Sequence, residues 1–388
     1  MSATLRAILG ILSRRRQERL TGRRTAAPDH PTNNFDFLRL TGAVFVLYGH
    51  AYPLTGATGP GFAGNAIGTI GVKIFFVISG YLVALSWLRD PDIIRFFIRR
   101  ALRIFPALIG VVIFTVVLLG PAMTSLPLDA YARSPLTTFY LRNIVLYINY
   151  ALPGVFEHNV YPIAVNGSLW SLPAEFSMYL LIPLLLSRTL IGGRLALAVI
   201  AIGLAAAAVV FVRAFPQTTP IVIYATNFWS WLEVAPFFVL GSAFAYYRLD
   251  RAANIYVAFV GLLALAVFDT GVTIKEALLL AVLPYAAVSF GLGRSNVLSR
   301  ITGGHDLSYG VFLFGFPVQQ TLTALLGPQI GPWGNFGLAL VICSALAYLS
   351  WIFIERPALA LKPMVARRRR GRSDDLYVEA TDAERTPS

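Results

Sequence analysis

Hydrophobic residues come in long runs along this chain. Stretches of about 16–22 apolar residues lie near 37–54, 68–88, 103–122, 169–187, 194–213, 229–247, 253–269, 277–292, 306–326 and 334–355. A helix needs about 20 apolar residues to cross the bilayer core, so these runs predict transmembrane helices, several at the short end of the range. Ten spans put both chain ends on one side. The expected fold class is therefore all-α, a polytopic membrane protein with about ten transmembrane helices. Residues 1–35 read as a basic N-terminal tail, 36–360 as the transmembrane domain, and 361–388 as a basic, then polar and disordered, C-terminal tail. The short apolar run at 7–12 leads into Arg14, Arg15 and Arg16 and lacks the form of a signal peptide.

Charge orients the spans. Of 32 Lys and Arg, all but Lys73, Arg133, Arg142, Arg213 and Lys275 fall on the tails or on the connections that share their side. Such asymmetry is what the positive-inside rule demands, so both termini are expected to be cytoplasmic. The net charge of +13 then needs no nucleic acid; the blocks at 14–16 and 367–370 suit anionic lipid headgroups. Overall composition agrees, with 56% hydrophobic and 13% charged residues. One cysteine and four scattered histidines supply neither a disulfide framework nor metal-ligand spacing. One connection on the far side, 123–168, is long enough to be functional or partly folded.

Polar residues inside the runs carry the candidate chemistry, because ionisable groups within a membrane are costly. Residues 33–54, NNFDFLRLTGAVFVLYGHAYPL, hold Asp36, Arg39 and His50. Arg39 and His50 are eleven residues apart, which places them on nearly one helical face about 16 Å apart along the axis. Asp36 is three residues before Arg39 and can pair with it. Snorkelling of Arg39 with a hydrogen-bonded interior His50 is the alternative use of the same stripe. In GVKIFFVISGYL, residues 71–82, Lys73 is expected to snorkel to the outer boundary, and Gly80 to permit close helix approach. In RDPDIIRFFIRRALRIFPAL, Arg95, Arg99 and Arg103 recur at four-residue spacing beside Arg100, a cationic stripe suited either to a phosphate-bearing ligand or to anionic lipid. In NGSLWSLPAEFSMYLLIPL, Ser168, Ser171 and Glu175 fall on one helical face, and Pro173 fits a first turn. Glu233 is a second acid within a span, in weaker context. Glu355 and Arg356 read as interface anchors at the end of the last span.

Taken in order, the Arg39/His50 pair, GVKIFFVISGYL, RRALRIFP, NGSLWSLPAEF, HDLSYGVFLFGFPVQQ at 305–320 and FIERPAL at 353–359 resemble the acyltransferase 3 family of bacterial membrane O-acyltransferases. The likeness spans about residues 33–360. Each motif alone is weak, and their order makes the set specific. The resemblance implies about ten helices in a bacterial inner membrane, an acyl donor such as acetyl-CoA, no metal, and a cell-surface or lipid-linked glycan hydroxyl as acceptor. His50 becomes the candidate catalytic histidine with Arg39 as its motif partner. Glu175 is the acidic position after SLW, free either to orient His50 or to bind the acceptor. Arg95, Arg99, Arg100 and Arg103 become candidates for the donor's phosphates, and Ser168, Trp170 and Ser171 for the acceptor. Two positions depart from the family pattern: Gly315 stands where members often carry a second histidine, and Lys73 where many carry another polar or acidic residue. The rival from a different class is a transporter or flippase of a glycan or lipid, which intramembrane Arg, His and Glu would also suit; it would move substrate without consuming acyl-CoA.

Overall fold

The computed structural model describes residues 33–186, 194–215, 218–302 and 305–362. The basic N-terminal tail and most of the C-terminal tail lie outside the described residues. Ten long helices follow in order: α1 Phe35–Leu54, α2 Ile67–Arg89, α3 Ile93–Phe114, α4 Ser171–Leu185, α5 Arg194–Ala208, α6 Phe228–Tyr247, α7 Ile255–Val267, α8 Val272–Leu292, α9 Ser308–Leu326 and α10 Gly331–Ser350. Among the described residues, eight helical stretches are long and apolar enough to cross a membrane; these eight do not include α1, with its three polar interruptions, or the 13-residue α7. Strand is limited to two two-residue hairpins, Gly61–Phe62 with Asn65–Ala66 and Val222–Ile223 with Thr226–Asn227.

The chain is a multi-pass helical membrane protein, and α2 sits at its centre, flanked by α1 and α6. Small residues let these helices close. A Cβ at Gly80 would run into the Phe238 carbonyl, one at Gly241 into the Val77 carbonyl, and Ser242 Oγ donates to the Gly80 carbonyl at 3.1 Å. Gly80 is thus a close-packing position, as its setting in a membrane helix predicts. Lipid-facing α5 and α7 leave many of their large apolar side chains exposed.

Three boundaries and placements differ from the sequence reading. Helix α3 begins at Ile93, ten residues before the apolar run, with Asp92 Oδ1 accepting from Arg95 N at 2.9 Å as its N-cap. A charged half-helix is sustained because three of its four arginines, Arg95, Arg99 and Arg103, find carboxylates, described below. Lys73 does not snorkel: it is fully buried, with Nζ 2.6 Å from Glu276 Oε1, 3.7 Å from Glu233 Oε1 and 2.7 Å from Asn65 Oδ1. Arg213 closes the cluster, 2.7 Å from Glu233 and 3.4 Å from Glu276. Two acids and an amide in reach offset the cost of desolvating the ammonium. Glu355 is also not an interface anchor. A π-helical turn, Trp351–Glu355, rotates it inward, where it is buried and accepts from Ser350 Oγ at 3.2 Å.

The long connection is folded. Short helices at Leu128–Arg133 and Pro135–Tyr140, then a 3-10 turn at Leu141–Val145, bury Tyr131, Tyr140, Leu152, Val155 and Phe156. Asn159 Nδ2 donates to Gln320 Oε1 at 2.7 Å, and Gln320 Nε2 donates back to the Tyr161 and Ala164 carbonyls at 2.7 and 2.8 Å. This segment caps the end of α9 remote from Arg39.

Candidate active site

Helix α1 runs in step with α9. Arg39 reaches Asp306 at 3.3 Å, Leu47 O accepts from Gln319 Nε2 at 2.9 Å, and the His50 ring meets Phe316 edge-on at 5.1 Å. Arg39 and His50 therefore do share a face of α1. Asp36 pairs with Arg39 at 3.1 Å.

At the Arg39 end lies a cavity of about 300 Å³ whose polar lining includes Arg39, Arg100, Arg103, Ser79, Glu175 and Tyr179. Arg103 donates to Asp306 at 2.5 Å, stands 3.9 Å from Glu355 and lies over the Tyr309 ring at 5.5 Å. Burial pushes the Asp306 carboxyl up, but Arg103 and Arg39 outweigh it and hold it at about 2, so it stays ionised. Arg100 lies over the Tyr179 ring at 5.8 Å; it pairs with no carboxylate among the described residues, and its buried Nε has no acceptor. Lys362 also lines the cavity; burial, then Arg100, Arg103 and Arg39, push its ammonium down to about 7. Such a site favours an anion. Its other wall presents Glu175, which accepts from Ser79 Oγ at 2.6 Å and from Tyr179 OH at 2.5 Å.

The four arginines of the basic segment thus part company. Arg95 and Arg99 both grip Asp90, Arg99 at 2.7 Å, and Arg95 also reaches Asp92 at 3.3 Å. Hydrogen bonds from Arg95 and Arg99 hold the Asp90 carboxyl well below the usual carboxylate range. Arg100 and Arg103, by contrast, line the cavity.

Ser168 and Trp170 belong to a 3-10 turn, Gly167–Trp170, ahead of α4, so the helical face that would align Ser168 with Glu175 is broken between them. Asn166 caps this turn, accepting from Ser168 N at 3.2 Å and donating to Leu313 O at 2.9 Å. Gly167 packs against the Phe316 ring, the same ring that His50 meets. Ser168 Oγ is buried without a partner, Ser171 Oγ donates to the Ser168 carbonyl at 3.4 Å, and Trp170 is half-buried. The 167–170 turn thus lies toward His50, whereas Glu175 lies in the cavity, and no hydrogen bond joins Glu175 to His50.

Asp306, Glu276, Arg213 and the buried Gln319–Asn335 pair (Gln319 Nε2 to Asn335 Oδ1, 2.9 Å) were not singled out by sequence reasoning. Asp306 sits inside the 305–320 motif, where its charge just before an apolar helix was a usable signal. The other partners lie far away in the chain and leave no local mark.

Comparison with known proteins agrees with this architecture. A family model described as an acyltransferase domain matches residues 32–355. The chain is 28% identical over 334 residues to an O-acetyl transferase of Shigella phage Sf6, covering 84% of this chain and 96% of that protein. It is 31% identical over 368 residues to nodulation protein 10 of Rhizobium leguminosarum bv. viciae, covering 87% and 96%. It is 25% identical over 328 residues to the peptidoglycan O-acetyltransferase OatA of Listeria monocytogenes, covering 75% and 51%. No solved structure matches it significantly. With the family match spanning the whole helical bundle and the motif residues gathered on α1, α3, α4 and α9, the chain belongs to the acyltransferase 3 family and is a multi-pass membrane acyltransferase.

Proposed function

We propose that this protein moves an acetyl group from acetyl-CoA to a hydroxyl of a cell-surface or lipid-linked glycan. The observation that carries the reading is the division of α1, with a cation-lined cavity at its Arg39 end and an imidazole three turns further along, under the 123–167 cap. The acetyl group and the glycan are supported by relatives named as an O-acetyl transferase and a peptidoglycan O-acetyltransferase. The basic end is taken as cytoplasmic by the positive-inside rule, in a bacterial inner membrane.

The donor's phosphates would lie against Arg100, Arg103 and Lys362, with Arg39 at the edge. Arg forks match phosphate oxygens, and a cation without a carboxylate partner gains most from an anion. Ser79, Glu175 and Tyr179 form a polar wall for the pantetheine amides. His50 would accept the proton of the acceptor hydroxyl as that oxygen attacks the thioester carbonyl. The C–O bond forms, the C–S bond breaks, and the imidazolium returns its proton to the departing thiolate. An imidazole suits both steps near neutral pH. Ser168 and Trp170, on the turn that shares Phe316 with His50, are placed to meet the acceptor.

The test is mass spectrometry of envelope glycans from cells carrying the wild-type chain or His50→Ala. Acetyl esters that depend on the wild-type chain and vanish with His50→Ala are expected. Full esterification by a properly inserted His50→Ala protein would remove His50 from the chemistry.

A further inference from the structure

The cavity and His50 occupy different levels of the bundle. On α2 the cavity reaches from Val83 and Ser79 as far as Phe75. His50 lies beyond: its neighbour Gly49 packs against Gly68, seven residues past Phe75, or about 10 Å at the helical rise. Helix α9 repeats the ladder on one face, with Ser308 in the cavity, Phe312 one turn on, and Phe316 against His50 one turn further. Between the two levels the Phe75 and Phe312 rings meet edge-on, 5.9 Å between centroids and 69° between planes. Gly42 on α1 leaves the room that the Phe75 ring occupies, since a Cβ there would come within 3.3 Å of it. At this inner end of the cavity the seam between α1, α2 and α9 is closed by the two rings.

The geometry points to Phe75 and Phe312 as the inner wall of the cavity that selects, by length, the acyl group of the donor it accepts. The inference rests on the acyl-CoA reading above. A two-carbon acyl group ends short of the rings while its thioester is held in the cavity. Each further methylene must displace ring atoms held by packed helices, and close-packed interiors resist such displacement. Neither residue touches the reacting atoms; both act on which donor arrives.

Inverted membrane vesicles from cells producing the full chain, with their own envelope glycans as acceptors, are supplied separately with acetyl-CoA, butyryl-CoA and hexanoyl-CoA. The ester on the glycan fraction is identified by mass spectrometry, and rates are normalised to the amount of inserted protein. Phe75→Ala and Phe312→Ala are expected to raise the hexanoyl-to-acetyl ratio about tenfold or more, the scale on which pockets discriminate apolar chain length. Phe75→Leu and Phe312→Leu raise it less and decide the matter if the alanine variants do not accumulate. Phe114→Ala breaks another edge-on pair, with Phe314 at 5.6 Å, away from the seam, and is expected to leave the ratio within about twofold. An unchanged ratio in the Phe75 and Phe312 variants overturns the inference, as does an equal rise in Phe114→Ala. A wild-type protein that transfers from none of the three thioesters overturns the donor reading, and this inference with it; that failure is told apart because it appears before any substitution.

Discussion

Two charged regions lie inside this bundle, and they are built differently. At the end near Asn65, Lys73 and Arg213 face Glu233 and Glu276; two cations meet two carboxylates, all within ion-pair distance. Lys73 and Glu276 are almost entirely removed from solvent. At the other end, Arg39 and Arg103 share Asp306, but Arg100 and Lys362 line a cavity without a carboxylate partner among the described residues. A balanced cluster packed solid ties α2 to α6 and α8 and has nothing left over for a ligand. The other sets Arg39, Arg100, Arg103 and Lys362 against only Glu175 and Asp306 in the lining of an empty space, with Asp36 and Glu355 pairing from outside that lining, and an anion from outside completes it. Burial alone does not separate the two; charge balance and free volume do.

That contrast can be broken at either end. The largest expected effect lies beyond both regions, at the proposed base: His50→Ala should lower acyl transfer about 10²–10⁴-fold without lowering the unfolding temperature in detergent. Next comes the balanced cluster. Lys73→Met leaves Glu276 buried without its ammonium and should destabilise the protein by about 3–5 kcal/mol, read by thermal unfolding, whereas Lys73→Glu combined with Glu276→Lys should recover part of the loss. If Lys73→Met instead abolishes donor binding in a stable protein, the cluster is a site and not a brace.

The unbalanced cavity should respond to pH. The Lys362 ammonium is held at about 7, so it is charged below that pH and neutral above it. Donor affinity should therefore fall as pH rises from 6 to 8, by about 1 kcal/mol or roughly fivefold, and Lys362→Met should flatten the profile. The smallest effect belongs to Arg95, which is engaged by Asp90 and Asp92; Arg95→Gln should change the donor KM about twofold at most.

Much of the fold is legible in the sequence because a bilayer imposes long apolar runs, and Arg39 with His50 is legible because helical period places them on one face. What escapes is pairing across the chain. Arg103 meets Asp306, and Lys73 meets Glu276, each across 203 residues. Without its partners, the stripe at 95–103 resembles an interfacial segment, and the true start of α3 is hidden. Glu355 escapes for a local reason: the π-turn at 351–355 changes the face that an α-helical count assigns to it. The 3-10 turn at 167–170 does the same to Ser168, separating it from Glu175.

The central claim is that the cavity beside Arg39 is the donor site. It is tested most directly by equilibrium binding of radiolabelled acetyl-CoA to the purified full-length protein in detergent, comparing wild type, Arg100→Gln and Lys73→Met. Saturable binding to wild type, weakened about tenfold or more by Arg100→Gln and unchanged in the fraction of Lys73→Met that remains folded, is the expected result. Binding that Arg100→Gln leaves intact, or none to the wild type, would contradict it.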